Sequence, residues 1–168
     1  VIPFFDTQYI IRRPQAAVYA FLSDFSRYHS HLPEFHGSTL STDDSPIAEG
    51  KVYWIGTEDE RYQYRTCVEL LEVEPPDRFV YEYTYHTRDD DRPLTPREGP
   101  MPWDRARVIL TFEPCKQGTR VRARMQVYGV EGFLSRWRVS TLKTVSARAQ
   151  RGANANMVRV AESQIPEE

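Results

Sequence analysis

IRRPQAAVYAFLSDFSRY, residues Ile11–Tyr28, holds the change of period on which the fold turns. Upstream of it, Phe4-Phe5-Asp6-Thr7-Gln8-Tyr9-Ile10-Ile11 is rich in aromatic and β-branched residues and reads as a strand. Pro14 stands where the first turn of a helix tolerates proline, and Ala16–Leu22 continues as a short amphipathic helix. Ser23 or Asp24 can cap a second short helix running through Tyr28 and His31, which Pro33 and Gly37 end. Beyond Gly37 the pattern alternates.

Strands are expected at Lys51–Thr57, Arg61–Val73, Arg78–Thr87, Arg105–Glu113 and Thr119–Tyr128. Lys116-Gln117-Gly118 has turn length and makes the last two a hairpin. In the final strand Val121, Ala123, Met125 and Val127 alternate with Arg120, Arg122, Arg124 and Gln126, so one face is covered and the other wet. Arg88–Trp103 has three consecutive aspartates, four prolines and no period, and reads as a long loop. From about Glu131 to Ser163 good helix formers run without a proline. The apolar side of that helix is expected along Leu134, Trp137, Leu142 and Val145, turning to small residues at Ala149, Gly152 and Ala153 and leaving space beneath them.

The chain has 168 residues, 40% of them hydrophobic and 27% charged, enough for one domain with a real core. No apolar stretch approaches the ~18 residues of a membrane span, and no basic-then-apolar leader opens the sequence, so a cytoplasmic domain is expected. Cys67 and Cys115 have neither metal-ligand nor disulfide spacing. The net charge of −2 hides a split: residues 1–104 carry 10 basic and 19 acidic side chains, residues 105–160 carry 12 and 2. The two halves pairing within the fold accounts for this without an anionic partner. Arg120, Arg122 and Arg124 lack interleaved aromatics and are expected to pair with carboxylates across strands, not with nucleic acid.

The order of strand, two short helices, antiparallel strands and one long terminal helix resembles the helix-grip fold of the START-like (SRPBCC), polyketide cyclase/dehydratase-like superfamily, which includes the birch-pollen-allergen type. Ile11–Tyr28 resembles the family's opening, with Asp24-Phe25-Ser26-Arg27-Tyr28 as its Asp-Phe-x-x-Tyr. At Leu32-Pro33 the family's Trp-x-Pro is changed, with His31 in the tryptophan's place. Glu74–Phe79, Leu110–Pro114 and Gly118–Val121 are further matches. The resemblance implies an α+β fold in which a curved antiparallel sheet grips the C-terminal helix around a deep apolar cavity. Family members hold lipids, sterols or polyketides there. Some catalyse cyclisation or dehydration and others only carry, so the resemblance places the site and leaves its chemistry open.

No phosphate loop, His-Glu-x-x-His or Gly-x-Ser-x-Gly occurs, and Glu58-Asp59-Glu60 and Asp89-Asp90-Asp91 read as solvated charge, not metal sites. Tyrosines are the informative feature. Tyr62 and Tyr64 share a strand face with Val68 and Leu70, and Phe79, Tyr81, Tyr83 and Tyr85 share one on the next strand. If both faces meet the helix, these residues line the cavity with Trp103, Met125, Val145, Ala149 and Gly152. Phenols in a pocket need hydroxyl partners that a ligand can supply. Tyr83, Tyr85, His29 and His86 are the acid/base candidates, although strict alternation puts His86 opposite Tyr85. His31 is a further histidine candidate, and Arg107 is expected outside.

Two functions fit. One is a cyclase or dehydratase acting on a polyketide or similar hydrophobic intermediate by acid/base chemistry, without metal or cofactor. The other is a non-catalytic carrier of a hydrophobic small molecule. A protein-interaction module fits if side chains fill the cavity, and a homodimer is left open. Arg88–Trp103 is expected either to cover the cavity mouth as a lid, with Met101 and Trp103 as its apolar material, or only to anchor the next strand.

Overall fold

The period of two read between residues 78 and 128 becomes the centre of one seven-stranded antiparallel sheet in a computed structural model that describes residues 1–57, 59 and 63–167. In chain order the elements are β1 (Ile2–Ile11), α1 (Gln15–Leu22), α2 (Phe25–Tyr28), two 3-10 turns (His29–His31, Pro33–Phe35), β2 (Ser38–Thr42), β3 (Val52–Thr57), β4 (Tyr64–Glu74), β5 (Arg78–Thr87), β6 (Arg105–Cys115), β7 (Gly118–Tyr128) and α3 (Gly132–Gln164). The strands lie in the order β1-β7-β6-β5-β4-β3-β2, and the curved sheet with α3 against it is the helix-grip fold.

Local chemistry explains the boundaries. Asp24 caps α2, its carboxylate accepting from Ser26 N at 3.0 Å. Only Lys116 and Gln117 separate β6 from β7, because Gly118 already pairs with Cys115. Gly118 has φ +136°, and a Cβ there would run into the backbone of Ile11, Arg12 and Arg13. The β2 strand was not expected. Its sequence, Ser38-Thr39-Leu40-Ser41-Thr42, is short and polar, as suits the exposed edge it forms beside β3.

Register sorts the side chains. Phe79 pairs with Leu110, Tyr81 with Val108 and Tyr83 with Ala106, and those residues pair onward with Ala123, Met125 and Val127. All belong to, or pack against, the one core cluster on the concave face. The convex face carries the charge. Arg122 pairs with Asp6, Arg107 with Glu82 at 2.9 Å, Arg120 with Glu113 at 3.7 Å and Arg78 with Glu72. Two of the row's three arginines, Arg120 and Arg122, are thus matched by carboxylates across strands. Arg124 forms no ion pair among the described residues and buries its Nε without an acceptor, and Arg107 lies outside as expected.

The far end of α3 is tied to the chain's start. Arg12 N donates to Glu162 Oε1 at 2.8 Å, and Arg13 donates to the carbonyls of Ile165 at 2.7 Å and Glu162 at 2.5 Å. Around this end Ile11, Val18, Phe21, Leu22, Phe79, Val121 and Ala161 have almost no exposure, a tightly closed floor. Among the described residues no helix is long and apolar enough to cross a membrane.

Candidate functional site

Above that floor the concave face becomes phenolic and less completely covered. Tyr81 lies edge-on to Phe25 at 5.0 Å, and Tyr83 donates to Met125 Sδ at 3.3 Å. Tyr83 and Tyr85 are edge-to-face at 6.1 Å, as are Tyr85 and Tyr64 at 5.9 Å. Tyr9 of β1 faces the same interior, paired in register with Val121. Burial pushes Tyr9, Tyr81, Tyr83 and Tyr85 above the ordinary phenol pKa, and a neighbouring phenol adds to the shift of Tyr9 (Tyr81), Tyr83 (Tyr85 and Tyr81) and Tyr85 (Tyr64). These groups are thus neutral hydrogen-bond donors at any physiological pH. Tyr9 and Tyr81 remain half-buried in the middle of the core, and neither hydroxyl is hydrogen-bonded to a described protein group.

The opposing wall is polar where it meets Tyr9's strand. Gln150 donates to Asn154 Oδ1 at 3.0 Å, and Asn154 donates to Thr7 Oγ1 at 2.8 Å, tying α3 to β1. Val139, Leu142, Ser146, Gln150, Ala153, Met157 and Val160 recur at spacings of three and four as the side of α3 turned to the sheet. Two clefts of about 330 Å³ open at the sides. One lies between β1 and α3, lined by Phe4, Phe5, Thr7, Lys143, Ser146 and Gln150. The other lies between the second 3-10 turn and β2–β4, lined by Phe35, Ser38, Ile55, Tyr64 and Thr66.

Several expected site residues lie elsewhere. Val145, Ala149 and Gly152 are exposed on the outer side of α3, so they do not line the interior. The inward stripe is the more polar one, because its amide groups find partners on β1 whereas the outer apolar stripe faces none. His86 is on the convex face, edge-on to Trp54 at 5.2 Å, as alternation requires. Its Nδ1–H donates to Asp91 O at 2.8 Å, leaving Nε2 to accept from Thr84 at 2.8 Å. It does not meet the phenols. Phe79 is wholly buried against Tyr19 and Phe25 and forms floor, not wall. Trp103 is also core, 3% exposed with its ring 5.1 Å from Phe4. Tyr62, Glu58 and Glu60 lie outside the described residues.

His29 is buried beside Phe35, with ring centroids 4.9 Å apart. Ser38 Oγ gives its one proton to Phe35 O at 2.6 Å, so the contact of 2.8 Å to His29 Nε2 requires that nitrogen to be the donor. Burial holds the ring's pKa down, and the neutral Nε2–H tautomer follows. That nitrogen is therefore unavailable as a base. No carboxylate, lysine or arginine lies on the concave face of the seven strands among the described residues. Nor does any described group of three His, Cys, Asp or Glu form a metal cluster. The arrangement can donate hydrogen bonds to oxygen in an apolar setting, and it lacks an evident base.

Residues 5–162 match the family described as polyketide cyclase / dehydrase and lipid transport. No curated protein matches the sequence. Among solved structures, a Chromobacterium violaceum protein is similar with TM-score 0.62 and 13% identity, covering 97% of this chain and 98% of that one. The AHSA1 protein of Silicibacter pomeroyi gives 0.56 and 17%, with 95% and 94% covered. DynU16, a putative protein of the dynemicin biosynthetic locus, gives 0.59 and 17%, covering 96% of this chain and 48% of that one. At these identities the likeness shows the fold.

Proposed function

Because the chain belongs to the polyketide cyclase / dehydrase and lipid-transport family, we propose that its interior binds a hydrophobic small molecule bearing carbonyl or hydroxyl oxygens. The supporting observation is the pair of half-buried phenols, Tyr9 and Tyr81, whose hydroxyls have no protein hydrogen-bond partner on an otherwise apolar concave face. A hydroxyl that an arriving ligand closes off from water costs about 1–3 kcal/mol if left unpaired, so these two phenols favour a ligand that places an oxygen beside them. Hydrocarbon contact with Val108, Met125 and Met157 supplies the remaining affinity, and the polar wall at Asn154 and Gln150 orients the ligand.

A second reading, a cyclase or dehydratase, draws on the same neutral phenols. Donation from Tyr81 and Tyr83 to a substrate carbonyl stabilises negative charge as an enolate forms, and the chamber holds the chain folded for closure. In that chemistry the carbonyl's neighbouring proton passes to water or to a substrate oxygen, since no described side chain on the concave face is a strong base. The carrier reading is therefore preferred.

The test is to equilibrate the protein with 1,8-dihydroxyanthraquinone, a 3-ketosteroid and a long-chain β-ketoester, isolate the complexes and identify the bound species by mass spectrometry. Retention of an unchanged compound is the expected result. A cyclised or dehydrated product would transfer the assignment to the enzyme. Retention of none would refute both.

A further inference from the structure

The outer face of α3 takes no part in the interior site, yet among the described residues it carries four of the six exposed large hydrophobic ones: Phe133 (81% exposed), Leu134 (74%), Trp137 (60%) and Val145 (69%). Leu134, Trp137, Thr141 and Val145 follow one another at spacings of three and four, so they form one stripe, with Phe133 one turn from Trp137. Arg138, Arg148, Arg151 and Arg159, all exposed, stand on or beside the stripe, whereas Arg136 and Lys143 lie about half a turn away, toward β1. No acidic residue occurs in the helix before Glu162.

The pairing pattern separates these cations from the others. On the sheet's convex face Arg78, Arg105, Arg107, Arg120 and Arg122 are matched to carboxylates at Asp6, Glu72, Glu82 and Glu113, and Arg124 is not. No described carboxylate forms an ion pair with the six cations of α3; Lys143 donates only to Pro3 O at 3.2 Å. A strip of large apolar side chains bordered by unmatched cations is complementary to a surface that is apolar at depth and anionic at its rim.

We infer that the outer face of α3 is a docking surface for an anionic lipid bilayer, with Phe133, Leu134 and Trp137 entering the interface and the arginines meeting lipid phosphates. A second copy of the chain fits less well, because a twofold pairing of this face would set four cations against four. Nucleic acid fits less well too, because it offers the phenylalanine and leucine no apolar depth. The inference stands on the surface alone and is independent of the ligand assigned to the interior.

The experiment is co-sedimentation of the full chain with vesicles of phosphatidylcholine alone and with 30% phosphatidylglycerol, together with tryptophan emission and quenching by brominated lipid. The expected result is pelleting with the anionic vesicles only, a blue-shifted emission, and release by high salt, with the fluorescence change lost in Trp137→Ser. Arg138→Ala with Arg148→Ala and, separately, Trp137→Ser should each lower the partition coefficient by about tenfold. Both variants alter exposed side chains, so unchanged thermal unfolding confirms that the fold is intact. Equal binding to neutral vesicles, or no binding to either, overturns the inference. So does a concentration-dependent dimer lost in Trp137→Ser without lipid binding, or heparin binding that persists in Trp137→Ser without vesicle binding.

Discussion

Truncating Trp103 to alanine should destabilise the protein severely. The indole lies at the end of the 88–103 connection, 3% exposed and edge-on to Phe4 at 5.1 Å. Removing a buried aromatic of this size costs about 3–5 kcal/mol through lost transfer energy and the residual cavity. About 0.5–1.5 kcal/mol of that belongs to the ring pair itself. In a chain of 168 residues each kcal/mol is worth roughly 2–4 °C, so the melting temperature should fall by roughly 6–20 °C. The indole N–H has no acceptor among the described residues. Trp103→Phe deletes that unpaired donor, whose burial costs about 1–3 kcal/mol, and offsets the lost ring volume. The phenylalanine variant should therefore stay within about 1 kcal/mol of wild type. Urea unfolding followed by far-UV circular dichroism reads both values without relying on the altered fluorophore. An alanine variant as stable as wild type, but weaker in ligand binding, would refute the packing argument and restore the moving lid. The rest of the connection is also held, with Leu94 N donating to Tyr85 O at 2.8 Å and Thr87 N to Arg92 O at 2.9 Å.

Other outcomes follow from the same structure. In a spectrophotometric titration, most phenols should resist ionisation at pH 10, because Tyr9, Tyr28, Tyr81, Tyr83 and Tyr85 are all raised, and Tyr19 and Tyr53 are pushed up to about 12. Their folded values exceed the unfolded one, so this stability is present below about pH 10 and is lost as pH rises through the folded values, with cooperative alkaline unfolding. His29 is shifted the other way: its neutral form stabilises the fold above about pH 6.5, and that share is lost as pH falls through the lowered folded value. Denaturant midpoints should thus decline less between pH 7 and 5 in His29→Gln than in wild type; parallel curves would contradict the buried neutral ring. Gly118→Ala should cost at least about 2 kcal/mol, since φ +136° and the adjoining Arg12–Arg13 backbone both oppose a Cβ. A neutral result by thermal unfolding would show that β1 and the β6–β7 turn do not meet this closely.

Where the sequence and the structure agree, one short-range rule decides the outcome. Alternation puts Tyr81, Tyr83 and Tyr85 with Val108 and Met125 on the concave side and His86 on the other, and a ladder preserves that parity from strand to strand. The bulge at Leu70/Glu72 displaces the parity only near the floor of β4. Helix α3 shows where legibility ends. Leu134, Trp137 and Val145 form a better apolar stripe than Val139, Ser146, Gln150 and Asn154, yet the polar stripe faces the sheet. Its amides are satisfied by each other and by Thr7, 147 residues away in sequence, a partner that no local pattern announces. Tyr9 was readable as a period-two partner of Thr7 and Ile11 but has no distinguishing neighbour in sequence. Its place opposite the β5 phenols depends on β1 closing the sheet beside β7.

The central claim is that the ligand lies between the phenol-bearing sheet and the polar stripe of α3. The chain's three methionines sample that geometry: Met125 accepts from Tyr83 on the sheet, Met157 is on the inward side of α3, and Met101 is in the rim connection. Methyl-labelled methionine therefore gives three NMR signals to follow while 1,8-dihydroxyanthraquinone is titrated in. The account predicts that the Met125 and Met157 methyls shift together and saturate at the same ligand concentration, with Met101 less affected. Movement of Met101 alone, or no shift at saturating ligand, would contradict it.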